Sequence, residues 1–141
     1  MKRSPALTPL SHDHQHALEA ALRLRRADAE SAAAAVTRFL AFFEREGRGH
    51  FELEEEVLLP VLPADDAEWG PAVERVHADH AAIRREADAL AVGGGPSLTA
   101  VRALGRRLHD HVRFEERQLF EVAERRLSAE ELSRLGRALA H

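Results

Sequence analysis

The stretch "HFELEEEVLLPVL", residues 50–62, places a histidine at the head of a run with four glutamates and closes on large apolar residues. Helical periodicity sorts it. Positions four apart on an α-helix project within about 40° of each other and stand roughly 6 Å apart along the axis. His50 and Glu54 therefore share a face, which continues through Phe43, Val57, Leu58 and Val61, so both point toward a core. Glu52 and Glu56 fall on the solvated side, and Glu55 lies at the boundary. An ionised carboxylate among apolar side chains is costly unless a counter-charge meets it. A metal cation would supply that charge.

A second stretch, "HVRFEERQLF" at residues 111–120, repeats the pattern His-x-x-x-Glu-Glu and also ends in two large apolar residues. His111 and Glu115 share a face with Leu104, Leu108 and Leu119, and Glu116 is the boundary residue. Each stretch follows a helix that carries Asp-His, namely Asp13-His14 and Asp79-His80. Two helical hairpins bearing the same side chains predict a pseudo-symmetric site. Residues two apart on a helix point about 160° away from each other, so only one histidine of each His-x-His looks inward. His14 lies with Leu10, Leu18 and Ala21, whereas His12 and His16 share a polar face with Thr8, Asp13 and Glu19. By the same test His111 outranks His109. His80 lies with Val73, Val76, Ile83 and Ala87, and His77, three residues earlier, is a further candidate for the inner face.

The rest of the chain agrees with helix. Ala, Leu, Arg and Glu dominate and alternating β-branched runs are missing, which predicts an all-α protein. Thr8-Pro9 opens a first helix, to about residue 29, and a second runs from about Ser31 to about Val61, weakened at Gly47 and Gly49. "LPADDAEWGP" is a crossing loop, with a third helix from about Pro71 to Val92. "GGGPS" is a linker, and a fourth helix follows from about Leu98 to Leu127. "SAEE" at residues 128–131 has the capping-box pattern of a short fifth helix. Long helices on short connections predict an up-and-down four-helix bundle, with residues 1–141 as a single domain.

Composition narrows the chemistry. The chain has 141 residues, a net charge of −4 with histidines counted neutral, nine histidines, no tyrosine and no cysteine. Disulfides, thiolate metal sites and cysteine nucleophiles are therefore excluded, and a bound metal must use nitrogen and oxygen ligands. Arginines scattered among acids leave no footprint for nucleic acid and no polybasic membrane anchor. No apolar run is long enough for a signal peptide or a membrane span, so the expected location is cytoplasmic, as a monomer or weak homo-oligomer.

Taken together, "SHDHQHAL", "HFELEEEVLLP", "ADHAAIRR" and "HVRFEERQLF" resemble the hemerythrin-like, or HHE cation-binding, family over about residues 9 to 126. The resemblance implies a four-helix bundle holding a non-haem di-iron centre, oxo- or hydroxo-bridged. His14, His50, His80 and His111 would be terminal ligands, and Glu54 and Glu115 would bridge the irons. His77 is a possible additional ligand. Manganese or zinc could substitute at such a nitrogen and oxygen site. Oxygen-carrying hemerythrins pair two histidines four apart on the third helix and end with His-x-x-x-x-Asp on the fourth. This chain instead has His77 and His80 three apart and a glutamate after His111, which places it nearer the wider hemerythrin-like group. The implied function is binding and reduction or decomposition of O2 or peroxide, catalase-like or oxygen-reducing. The alternative is a non-catalytic module that binds or senses iron, oxygen or nitric oxide.

Overall fold

The computed structural model describes residues 3–63, 65–93 and 95–140, so Ala64 of the crossing loop and Gly94 of the linker lie outside the described residues. The first helix is Thr8–Arg25. The second fills residues 32–61, as α-helical Ala32–Phe42 and Arg48–Leu53, π-helical turns Phe43–Gly47 and Glu54–Leu58, and a closing 3₁₀ turn Leu59–Val61. The third is Trp69–Val92. The fourth fills residues 98–126, with a π-helical turn Glu115–Leu119 between Leu98–Phe114 and Phe120–Arg126. A fifth, Ala129–Leu139, follows. There is no strand among the described residues.

Local chemistry sets the boundaries. Ser97 caps the fourth helix by accepting from the Ala100 N–H at 3.0 Å, and Ser128 with Glu131 forms the expected capping box. Thr8 is not a cap. It is the first helical residue, and its hydroxyl donates to the Ser4 carbonyl at 3.0 Å. In the crossing loop Asp66 accepts from the backbone N–H groups of Glu68 and Trp69, while Arg126 pairs with Asp66 and Glu68 and ties the loop to the fourth helix.

The first helix packs against the second and fourth, and the third packs against the same two. Contact between first and fourth is close at Gly105, where a Cβ would stand 2.6 Å from the Arg25 backbone nitrogen and 2.8 Å from the Ala21 carbonyl oxygen. Apolar residues form two layers. One gathers Ala17, Leu24, Phe39, Phe43, Ile83 and Leu104; the other gathers Leu10, Leu58, Trp69, Val76, Leu119 and Phe120. Along every long helix the buried histidines and glutamates fall between these layers.

The π-helical turns answer a register problem. Buried residues of the second helix recur every four positions, as Ala35, Phe39, Phe43, Gly47 and Phe51, and again as His50, Glu54 and Leu58. An unbroken α-helix drifts about 40° for every four residues, which would carry the last of each series to the wrong face. The wider π turns take up that drift. Val61, expected on the inner face, is 49% exposed, and Leu62, in extended backbone just past the end of the helix, occupies the core. The glycines at 47 and 49 do not break the helix; the first π turn ends at Gly47.

Candidate metal centre

His14 comes from the first helix, His50 and Glu54 from the second, His80 from the third, and His111 and Glu115 from the fourth. All six are buried, Glu54, His80 and Glu115 completely. Each glutamate begins a π-helical turn, and each spreads its two oxygens between imidazoles of different helices. Glu54 Oε2 lies 3.2 Å from His50 Nε2, and Glu54 Oε1 lies 3.1 Å from His80 Nε2. Glu115 Oε1 accepts from His14 Nε2 at 2.8 Å, and Glu115 Oε2 lies 3.1 Å from His111 Nε2.

Most of these short distances are not hydrogen bonds. Nε2 of His50, His80 and His111, both oxygens of Glu54 and Oε2 of Glu115 are all buried without a hydrogen-bond partner. Orphaned polar atoms are costly in a dry interior, and so many converging on one place is the pattern of donors arranged around something they coordinate. One donor atom each from His14, His50, Glu54 and Glu115 fits within 4.8 Å of the others, and so does one each from Glu54, His80, His111 and Glu115. Both glutamates belong to both groups. The donor set, imidazole and carboxylate without thiolate, suits iron, manganese or zinc.

The outer nitrogens follow one rule. His14 Nδ1 donates to Glu116 at 2.6 Å, His50 Nδ1 to Asp13 at 3.1 Å, His80 Nδ1 to Glu55 at 2.7 Å and His111 Nδ1 to Asp79 at 2.9 Å. A carboxylate on Nδ1 fixes the ring's orientation and directs Nε2 at the cluster. The four acids sit beside the inner residues in sequence, in the two Asp-His and the two Glu-Glu pairs, and each orients a ring on the next helix around the bundle. Arg84 holds Glu55 through both guanidinium nitrogens, and Arg3 with Ser11 holds Glu116. Phe51 stacks on the His80 ring with centroids 3.7 Å apart, and Phe120 lies parallel to His14 at 5.4 Å, so aromatic faces cover both imidazoles.

Burial, the largest influence on His111, pulls its pKa down, but the carboxylates of Glu115 and Asp79 outweigh it and the group is pushed up to about 10. His14, His50 and His80 are raised by the same balance of burial against paired carboxylates. For Glu115 burial raises the pKa, and the surrounding imidazoles, His111 first, hold it well below the usual carboxylate range.

Over the same residues, a family model described as hemerythrin HHE cation-binding domain matches residues 6–123. The chain belongs to that family. Comparison with curated proteins found no match, nor did comparison with solved structures. Membership agrees with the expected all-helical bundle and with a cation-binding role, and no described helix is long and apolar enough to cross a membrane. Of the histidines considered, His12, His16 and His77 are exposed and His109 is half-buried, so the structure gathers none of them into the cluster. His77, a further candidate for the inner face, lies on the solvent side. It stands one residue past Val76, at the edge of the stripe that Val73, Val76, His80 and Ile83 bury. Sequence alone does not mark Asp13 and Asp79 as orienting groups, although each directly precedes an inward histidine. That adjacency was the available signal.

Proposed function

We propose that the six buried residues hold two cations, one at His14 and His50 and one at His80 and His111, with Glu54 and Glu115 shared between them. We further propose that iron is the working metal and that the protein binds and reduces or decomposes O2 or peroxide. The observation that carries the reading is the set of orphaned inner atoms on His50, Glu54, His80, His111 and Glu115. A bound pair of iron ions would supply electron transfer and Lewis acidity toward oxygen species. The chain's own residues do the rest. The Nδ1 carboxylates hold each imidazole in one orientation, Glu54 and Glu115 span the two halves, and Phe51 and Phe120 keep bulk water from the rings.

Turnover is favoured over storage or sensing because exposed His77 leaves four imidazoles for two cations, so each ion keeps room for an exogenous ligand. The test is addition of peroxide to iron-loaded protein. Catalytic peroxide loss is expected, and His77→Ala should keep its iron and most of that activity. A stable, reversible oxygen complex with no peroxide turnover would instead assign the protein to the binding or sensing class, for oxygen or nitric oxide.

A further inference from the structure

Of the four orienting carboxylates, Glu55 and Glu116 are hydrogen-bonded by an arginine. Glu55, on His80 Nδ1, accepts from Arg84 at 2.7 and 3.0 Å. Glu116, on His14 Nδ1, accepts from Arg3 at 3.2 Å, and the same guanidinium reaches the Glu116 carbonyl at 2.8 Å and Glu124 at 2.9 Å. No arginine hydrogen-bonds Asp13 or Asp79 among the described residues, and Arg75 stands 3.6 Å from Asp79. The two arginines also lie over the rings that cover those same imidazoles. The Arg84 guanidinium carbon is 5.5 Å from the centroid of Phe51, which stacks on His80. That of Arg3 is 5.6 Å from the centroid of Phe120, which lies parallel to His14. Each arginine therefore faces one imidazole twice, through its carboxylate and through its aromatic cover.

The internal repeat does not account for this match. Arg84 follows His80 by four residues, whereas Leu18 stands four residues after His14. The first half takes its arginine instead from the segment ahead of the first helix. Unrelated placements that end in one arrangement point to a requirement of the site. Each donor pair, His14 with His50 and His80 with His111, receives one such arginine. A carboxylate on Nδ1 makes an imidazole a stronger donor and so favours the more highly charged metal ion. An arginine on that carboxylate draws its charge away and adds a fixed positive one, which favours the ion of lower charge.

We propose that Arg3 and Arg84 are a matched pair of positioning residues, one for each cation, that hold Glu116 and Glu55 and raise the reduction potential of the iron each one faces. The inference rests on the two-cation reading given above, with iron as the metal. The test is potentiometric titration of iron-loaded full-length protein, each iron taking one electron from dithionite through mediator dyes, with the half-reduced state followed by electron paramagnetic resonance. Arg84→Met and Arg3→Met should each disfavour reduction of one iron at least about threefold, a fall of about 28 mV at about 59 mV per tenfold for a one-electron couple. The double variant should lower both potentials. Arg84→Lys and Arg3→Lys keep the charge and should stay within about threefold of the parent. So should Arg126→Met, which removes an equal charge from the far end of the fourth helix. Arg84→Met decides the matter if loss of Arg3 prevents folding. Methionine variants that hold two irons with both potentials within about threefold of the parent would overturn the inference and leave the two-cation reading intact. An equal fall in the lysine variants would also overturn it. A parent that takes up no iron would overturn the two-cation reading itself.

Discussion

Replacing Asp79 with alanine isolates the contribution of an orienting carboxylate. Asp79 accepts from His111 Nδ1 at 2.9 Å and is 19% exposed, so little water is available to take its place. Without it the His111 ring is free to rotate and to exchange tautomers, and Nε2 is no longer aimed at Glu115. Removal of such partners weakens metal binding by roughly 10- to 100-fold, or about 1.4–2.7 kcal/mol. Arg75, 3.6 Å from Asp79, adds little to the loss because it is 46% exposed and rehydrates. Asp79→Asn keeps an acceptor oxygen and should fall near the tenfold end. Asp110 is the control: it adjoins His111 in sequence, but its 70%-exposed carboxylate pairs with His109. Asp110→Ala should stay within about twofold of the parent. The assay is competition for Zn²⁺ between metal-free protein and a chromophoric chelator at fixed pH. An Asp79→Ala affinity within twofold of the parent, or an equal loss in Asp110→Ala, would refute the orienting role.

Two glycine substitutions should move stability in opposite directions. Gly105→Ala gains up to about 1 kcal/mol of helix propensity but forces a Cβ against the Arg25 backbone at 2.6 Å, where only separation of the helices gives relief; a net loss of about 1–2 kcal/mol in urea unfolding is expected. At Gly49 a Cβ meets nothing within 4 Å, so Gly49→Ala should stabilise by about 0.5–1 kcal/mol, and equal signs for the two would contradict the packing described. The pH response of metal-free protein follows from the raised imidazoles. Their stabilising protonation is fully present below the unfolded value of 6.5 and is lost as pH rises through the folded value, about 10 for His111. Melting temperature of metal-free protein should therefore fall across that interval, while metal affinity, which requires those protons to leave, should rise with pH; a flat melting profile would count against the paired imidazoles.

Much of this was legible because inward-facing polar residues are conspicuous against apolar neighbours. His14, His50, Glu54, His80, His111 and Glu115 each sat at helical spacing from large apolar side chains, and burial of all six follows from that pattern. Three features were less accessible, for different reasons. The π turns depend on a repeat of four instead of 3.6, a difference that shows only over several turns. The orienting acids Asp13, Glu55, Asp79 and Glu116 act on histidines of neighbouring helices, and pairings between helices have no signature within one helix. His77 fell between two faces, where a shift of one residue in the burial stripe decides inside or outside.

Glu54 and Glu115 both belong to both groups of converging donors, so on the proposed reading each is shared by two cations. The most direct test of that reading is metal analysis of iron-reconstituted protein, per chain, for the parent and for Glu54→Ala and Glu115→Ala. Two irons are expected in the parent and loss of both from each variant, because removing either carboxylate opens both positions. Two irons retained by both variants, or a parent that holds none, would contradict that reading.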